Sequence, residues 1–356
     1  MDQDAVQPDA PGLPGNLEQL SDEELLKQRV CDLPITIENT WLAECVEQLY
    51  SELAAKGLVF QPPCYLADEW LTPKDEPVIG IPFYLAHPAL IRLERKLMLE
   101  AEGSNKTWCL KLLRHETGHA LSYAYQLLTK RRWRTVFGSP AQAYPDTYRF
   151  RPYSKNYVRH LDGFYAQYHP EEDFVETFAV WLTPDLDWRT QYAGWKALDK
   201  LQYVDQLMTT LRGQPPLQCT GKKYWSFKTM KITLASFYKK RRELSAEAFP
   251  DFHDDNLQRI FPRDNSGELF AQQPAERLIR RYHKALLRRV SLWTGERQYI
   301  INELLVTMTK RCRELKLVVR EPDSVCLADL TSYLTTLVMH YAYTGWYRGD
   351  RKRKAA

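Results

Sequence analysis

The stretch Leu112-Leu113-Arg114-His115-Glu116-Thr117-Gly118-His119-Ala120 constrains this 356-residue chain more than any other segment. It follows the Gly103-Ser104-Asn105 break, and its apolar spacing predicts a helix over 106–128. Residues four apart on a helix project from one face, so His115 and His119 can present two imidazole nitrogens to one ion, about 2.0–2.1 Å from each. Glu116 follows the first histidine and can lean over the open side of that ion, where a water would sit. The motif therefore points to a metal site with a carboxylate beside its open position.

Two histidines do not make a catalytic zinc site, which takes three protein ligands and keeps a fourth position for water. Candidates for the third lie in His169-Pro170-Glu171-Glu172-Asp173-Phe174-Val175-Glu176-Thr177-Phe178. Proline opens a helix here, and Thr183-Pro184 ends it. Glu172 and Glu176 share a face, while Phe174, Phe178 and Trp181 form a separate apolar stripe. One glutamate can bind the ion while the other accepts the N–H of a ligating histidine. Acids also complement a helix start, which accounts for Glu171 to Asp173 but leaves Glu176, deeper in an apolar helix, unexplained.

Around this core the chain reads as two units. Residues 1–20 are rich in Pro, Gly, Asp and Gln and are expected to be disordered. Ser21-Asp22-Glu23-Glu24 is a capping box. A helix is predicted over 40–56, stopping at Gly57, and another from Pro88 to about 102. Short apolar runs at Leu58–Phe60, Cys64–Ala67 and Val78–Ala86, with Pro62, Pro63 and Pro82, suit edge strands. Trp133, Phe137, Tyr144, Tyr148, Tyr153 and Tyr157 lie in an irregular connection over 129–169 and could line a cleft, although most of them are expected simply to pack that connection. A helix over 195–212 runs into Gly213-Gln214-Pro215-Pro216. Beyond it, periodic segments near 231–244, 274–292, 297–316 and 325–343 predict a mostly helical unit. The expected division is 21–213, a linker 214–227, a basic helical domain 228–345 and a basic tail 346–356.

Charge supports the division. From residue 214 onward there are 27 Lys and Arg against 15 Asp and Glu, whereas the whole chain holds 49 against 45. The seven cysteines form no C-x-x-C pair, a pattern of free thiols in a reducing cytoplasm. No run of about 18 apolar residues is present, so no membrane span is expected. The paired bases fall at helical spacing beside leucines, which reads as a solvated face and not as a nucleic-acid surface. An acidic protein partner of this basic domain is the other expectation.

Together these residues resemble the glutamate-ligand zincins (gluzincins), and more closely bacterial zinc-binding metallopeptidase families whose active-site layout is shared with anthrax lethal factor. The shared pattern is His115-Glu116-Thr117-Gly118-His119, then Tyr165-Ala166, then Glu172-Asp173-Phe174-Val175-Glu176-Thr177-Phe178, seven residues beyond that tyrosine. The close resemblance covers about residues 82–208. It implies an α+β zincin-like catalytic domain with a small sheet, holding one Zn2+ through His115, His119 and Glu172. It also implies Glu116 as general base, Tyr165 as oxyanion donor, Glu176 behind a ligating histidine, and a peptide, protein or isopeptide substrate. In this fold class an edge strand beside the active helix pairs with extended substrate, which nominates Val78, Gly80, Ile81 and Phe83. His160 and His169 flank Tyr165 and could orient substrate or join the site, although a solvated or structural histidine is the expectation for each. The alternative is a non-catalytic zincin-fold scaffold that recruits partners through its basic helical domain.

Overall fold

The structure, a computed structural model, describes residues 17–144, 151, 153–243, 253–263 and 273–344. Residues 1–16 of the amino-terminal segment, Tyr148 and the basic tail 346–356 lie outside the described residues. The helices are α1 (Asp22–Lys27), α2 (Trp41–Ala55), α3 (Pro88–Met98), α4 (Lys106–Ala124), α5 (Arg131–Phe137), α6 (Pro170–Leu182), α7 (Trp188–Gln191), α8 (Ala197–Leu211), α9 (Leu234–Glu243), α10 (Asp254–Ile260), α11 (Ala275–Thr294), α12 (Gln298–Glu314) and α13 (Asp323–Thr344). Strands β1 (Cys64–Ala67) and β2 (Ile79–Pro82) pair in parallel, Cys64 opposite Ile79 and Ala67 opposite Pro82. The class is α+β, with a small sheet and a helical carboxy-terminal region. Among the described residues no helix is long and apolar enough to cross a membrane.

Helix ends follow local chemistry. Ser21 and Glu24 close the expected capping box at α1. Thr40 caps α2, and Gly57 follows it at φ +79°, a backbone that glycine adopts without a Cβ clash. The Asn105 side chain accepts from the Trp108 N–H at 3.0 Å and starts α4. That helix stops at Ala124, short of the expected 128, because Gln126 turns into the left-handed region. Pro170 opens α6 and Thr183 closes it.

The apolar runs around the sheet behave differently from the expectation. Leu58–Phe60 forms no strand, and Val78–Ala86 is strand only over β2. Pro82 ends the ladder, since its ring fixes φ and removes a donor, and Phe83–Ala86 coils into a 3-10 turn.

Among the described residues, two large groups of buried apolar side chains, and a small one of Tyr65, Ala67 and Val78, make up the interior. The first joins α1 to α4, β1, β2, α6 and α8, and it takes in Phe227, Leu234, Phe237 and Tyr238 from beyond the Gly213–Pro216 stretch. Arg241 on α9 pairs at 2.8 Å with Glu94 on α3, which is 1% exposed. The second joins α10, α11, α12 and α13. On α11, Leu278, Ile279, Leu286, Leu287 and Val290 are buried, whereas Arg280, Arg281, Arg288 and Arg289 are exposed, the solvated basic face its periodicity predicts.

Helices α4 and α6 cross at the centre of the first core, and Gly118 permits the closeness. A Cβ there would meet the Val175 Cβ at 2.7 Å and its Cα at 2.9 Å. Arg114 fixes the other side of α4 to α2 through two 2.7 Å bonds to Glu52, both side chains being nearly buried. Lys200 on α8 pairs with Asp173 at 2.6 Å and holds α6 from behind.

Candidate metal centre

His115, Glu116 and His119 lie on the face of α4 turned toward α6, and all three are buried. A helix presents donors with a four-residue repeat, so the two imidazoles stand one turn apart, ring centroids 5.2 Å from each other. The opposing turn of α6 brings Glu172 between them. Its Oε2 lies 3.2 Å from His115 Nε2 and 3.4 Å from His119 Nε2. One ligand atom from each of His115, His119 and Glu172 falls within 4.8 Å of the others, the spacing of groups around a single cation.

Glu176 lies one turn further along α6 and serves a different atom. His115 Nδ1 is 2.8 Å from Glu176 Oε1, and Glu176 Oε2 accepts the Leu161 N–H at 2.8 Å. A carboxylate there keeps the proton on Nδ1, so Nε2, which faces Glu172, is the nitrogen an ion can take once it displaces the second proton. Glu172 and Glu176 therefore face different nitrogens of the same ring, Nε2 and Nδ1.

The donor set suits a divalent cation. Glu172 is 4% exposed, yet its Oε2 has no hydrogen bond, since both neighbouring imidazole nitrogens face it at poor hydrogen-bond geometry. A buried carboxylate oxygen left unsatisfied is costly unless a cation meets it. Electrostatics agree. Burial alone would push His115 down, but the Glu172 and Glu176 carboxylates outweigh it and hold His115 well above its ordinary value. Burial would likewise raise Glu172, yet the two histidines carry it well below the usual carboxylate range. A field that favours positive charge between these groups favours a metal ion there. Burial pushes the Glu116 carboxyl up, against the pull of His115 and His119. Two nitrogens and one carboxylate form the ligand set of a catalytic zinc.

Tyr165 also reaches this place, its ring centroid 5.5 Å from that of His115. The other sequence candidates do not line the ion's position. His160 donates from Nε2 to the Lys111 carbonyl at 2.9 Å, while Lys111 Nζ donates back to the His160 carbonyl at 3.1 Å. This clamp anchors the connection to α4, and burial pushes His160 down. His169 caps α6, its Nδ1 accepting the Glu171 N–H at 3.1 Å. Gly80 has both backbone groups bonded to Leu71, on the side of β2 away from β1, so this point of the strand is already paired. Val78, Gly80, Ile81 and Phe83 are all buried.

Three further residues at the site were not among the ligands or catalytic groups expected from the sequence. Tyr144, from the irregular connection, donates to Glu172 Oε1 at 2.9 Å. Tyr123, one turn beyond His119, donates to Glu171 Oε2 at 3.3 Å. Thr72, in the β1–β2 connection, donates to the Glu116 carbonyl at 3.1 Å. Only Tyr123 had a usable cue, since it continues the four-residue repeat of the histidines.

No curated protein and no solved structure matches the chain. Residues 57–207, which hold His115, Glu116, His119, Tyr165, Glu172 and Glu176, match the model of the family described as "Putative zinc-binding metallo-peptidase".

Proposed function

We propose that this chain is a zinc-dependent peptidase of the gluzincin type, hydrolysing peptide or isopeptide bonds at the α4–α6 crossing. The single observation that carries the proposal is the unbonded Glu172 Oε2 facing both imidazole Nε2 atoms in a buried site. His115, His119 and Glu172 would hold one zinc ion. Bound there, zinc would lower the pKa of a water to about 7 and polarise the scissile carbonyl.

The remaining roles belong to protein groups. Glu116, raised by burial, takes the proton from the attacking water and returns it to the leaving amine. Tyr165, beside His115, donates its phenol O–H to the oxygen that gains charge as the carbonyl is attacked. Glu176 keeps the His115 ring in the tautomer that offers Nε2. In the same proposal the unit that works spans 21–213 with Phe227 to Tyr238 packed into its core, the protein is cytoplasmic, and helices α10 to α13 offer their basic face to an acidic protein partner.

The test separates binding from turnover. Glu116→Gln is expected to retain zinc and to lose activity by about 10²- to 10⁴-fold on a peptide library. His115→Ala is expected to lose both. Wild-type turnover by Glu116→Gln would remove the general-base role, and a zinc-loaded wild type without chelator-sensitive cleavage would favour the scaffold reading.

A further inference from the structure

We propose that Tyr144 is a positioning residue that presents Glu172 to the metal through one oxygen only. The inference rests on the zinc reading above. The two carboxylate oxygens of Glu172 have different neighbours. Oε1 accepts from the Tyr144 phenol at 2.9 Å, whereas Oε2 faces His115 Nε2 and His119 Nε2 without a hydrogen bond. A carboxylate free at both oxygens can chelate an ion and occupy two coordination positions. With Oε1 committed to an O–H donor, Oε2 alone is available, and a position stays open for water.

The rest of the local structure serves this contact. Tyr144 belongs to neither α4 nor α6, so something else must place it. Its ring stacks on His169 with centroids 3.8 Å apart and planes 16° from parallel, and it meets the edge of Tyr168 at 5.6 Å. The His169 ring is itself fixed at both nitrogens. Nδ1 accepts the Glu171 N–H, so Nε2 carries the proton and donates to the Gln142 carbonyl at 2.8 Å. One histidine thus caps α6, ties down the segment just before Tyr144 and supports its ring. The Gln142–His169–Tyr144–Glu172 circuit links the irregular connection to the candidate ligand. Tyr144 is 46% exposed while Glu172 is 4% exposed. Core packing does not require a half-exposed tyrosine to send its hydroxyl to a buried carboxylate.

Tyr144→Phe removes the O–H and keeps the stack on His169. Zinc affinity, measured by competition with a chromophoric chelator, is expected to fall about 10- to 100-fold. The visible bands of the Co2+-substituted variant should weaken as Glu172 becomes bidentate, and kcat should fall more than KM changes. The melting temperature of the metal-free protein should stay at the wild-type value. Wild-type zinc affinity with an unchanged cobalt spectrum would overturn the inference, and so would a lowered metal-free melting temperature with affinity intact, which marks a packing residue. A wild-type chain that takes up no zinc would fail earlier, removing the metallopeptidase reading and this inference with it.

Discussion

Glu176 shows how much one buried side chain decides. Its two oxygens accept from two different donors, His115 Nδ1–H and the Leu161 N–H, and the residue is fully buried. In Glu176→Gln one oxygen becomes an NH2, so one of those donors faces another donor. An unsatisfied buried group costs about 1–3 kcal/mol, and a displaced imidazole loses metal affinity by about 10- to 100-fold. We expect calorimetric zinc titration of Glu176→Gln to show that loss together with a lower melting temperature. Unchanged zinc binding would mean that Glu176 only fills the core. The same logic explains why His160 and His169 are buried histidines outside the candidate ligand set: His160 spends Nε2, and His169 both ring nitrogens, on backbone groups.

Between elements, the distance between α4 and α6 controls the site. The Gly118 Cα hydrogen occupies the space where a Cβ would come within 2.9 Å of the Val175 backbone, and backbone cannot swing aside as a long side chain can. Gly118→Ala is therefore expected to part the helices, destabilising the fold by about 1–3 kcal/mol through overpacking. It should also weaken zinc binding, because Glu172 and the histidines are on the two helices that separate. Wild-type thermal stability and metal affinity in this variant would contradict the close-approach argument. Helix ends were legible beforehand: Pro170 and Thr183 bound α6, and Thr40 caps α2, because capping is settled within a few residues. The strands were less so. Cys64–Ala67 is β1 as expected, but Leu58–Phe60 carries the same apolar character and has no strand partner, since pairing depends on a distant segment.

For the molecule as a whole, metal binding at the candidate site would be coupled to folding, because its three possible ligands come from helices that meet only in the folded chain. Zinc at 100 times its dissociation constant adds about 2.7 kcal/mol to stability. Chelation should thus lower the melting temperature in differential scanning fluorimetry, and addition of zinc should restore it. Indifference to chelator would argue that no ion holds α4 to α6. The ligating types, the four-residue spacings and the helix periods were all present in the linear chain, because they are properties of near neighbours. The order of residues also held both glutamates, but a shared helix face could not say which nitrogen of His115 each would meet; the depth at which α6 crosses α4 puts Glu172 at Nε2 and Glu176 at Nδ1. Tyr144, 28 residues from Glu172, was beyond any local rule. Periodicity describes one element at a time, whereas a site assembled from helices and an irregular connection exists only once packing has fixed their separation.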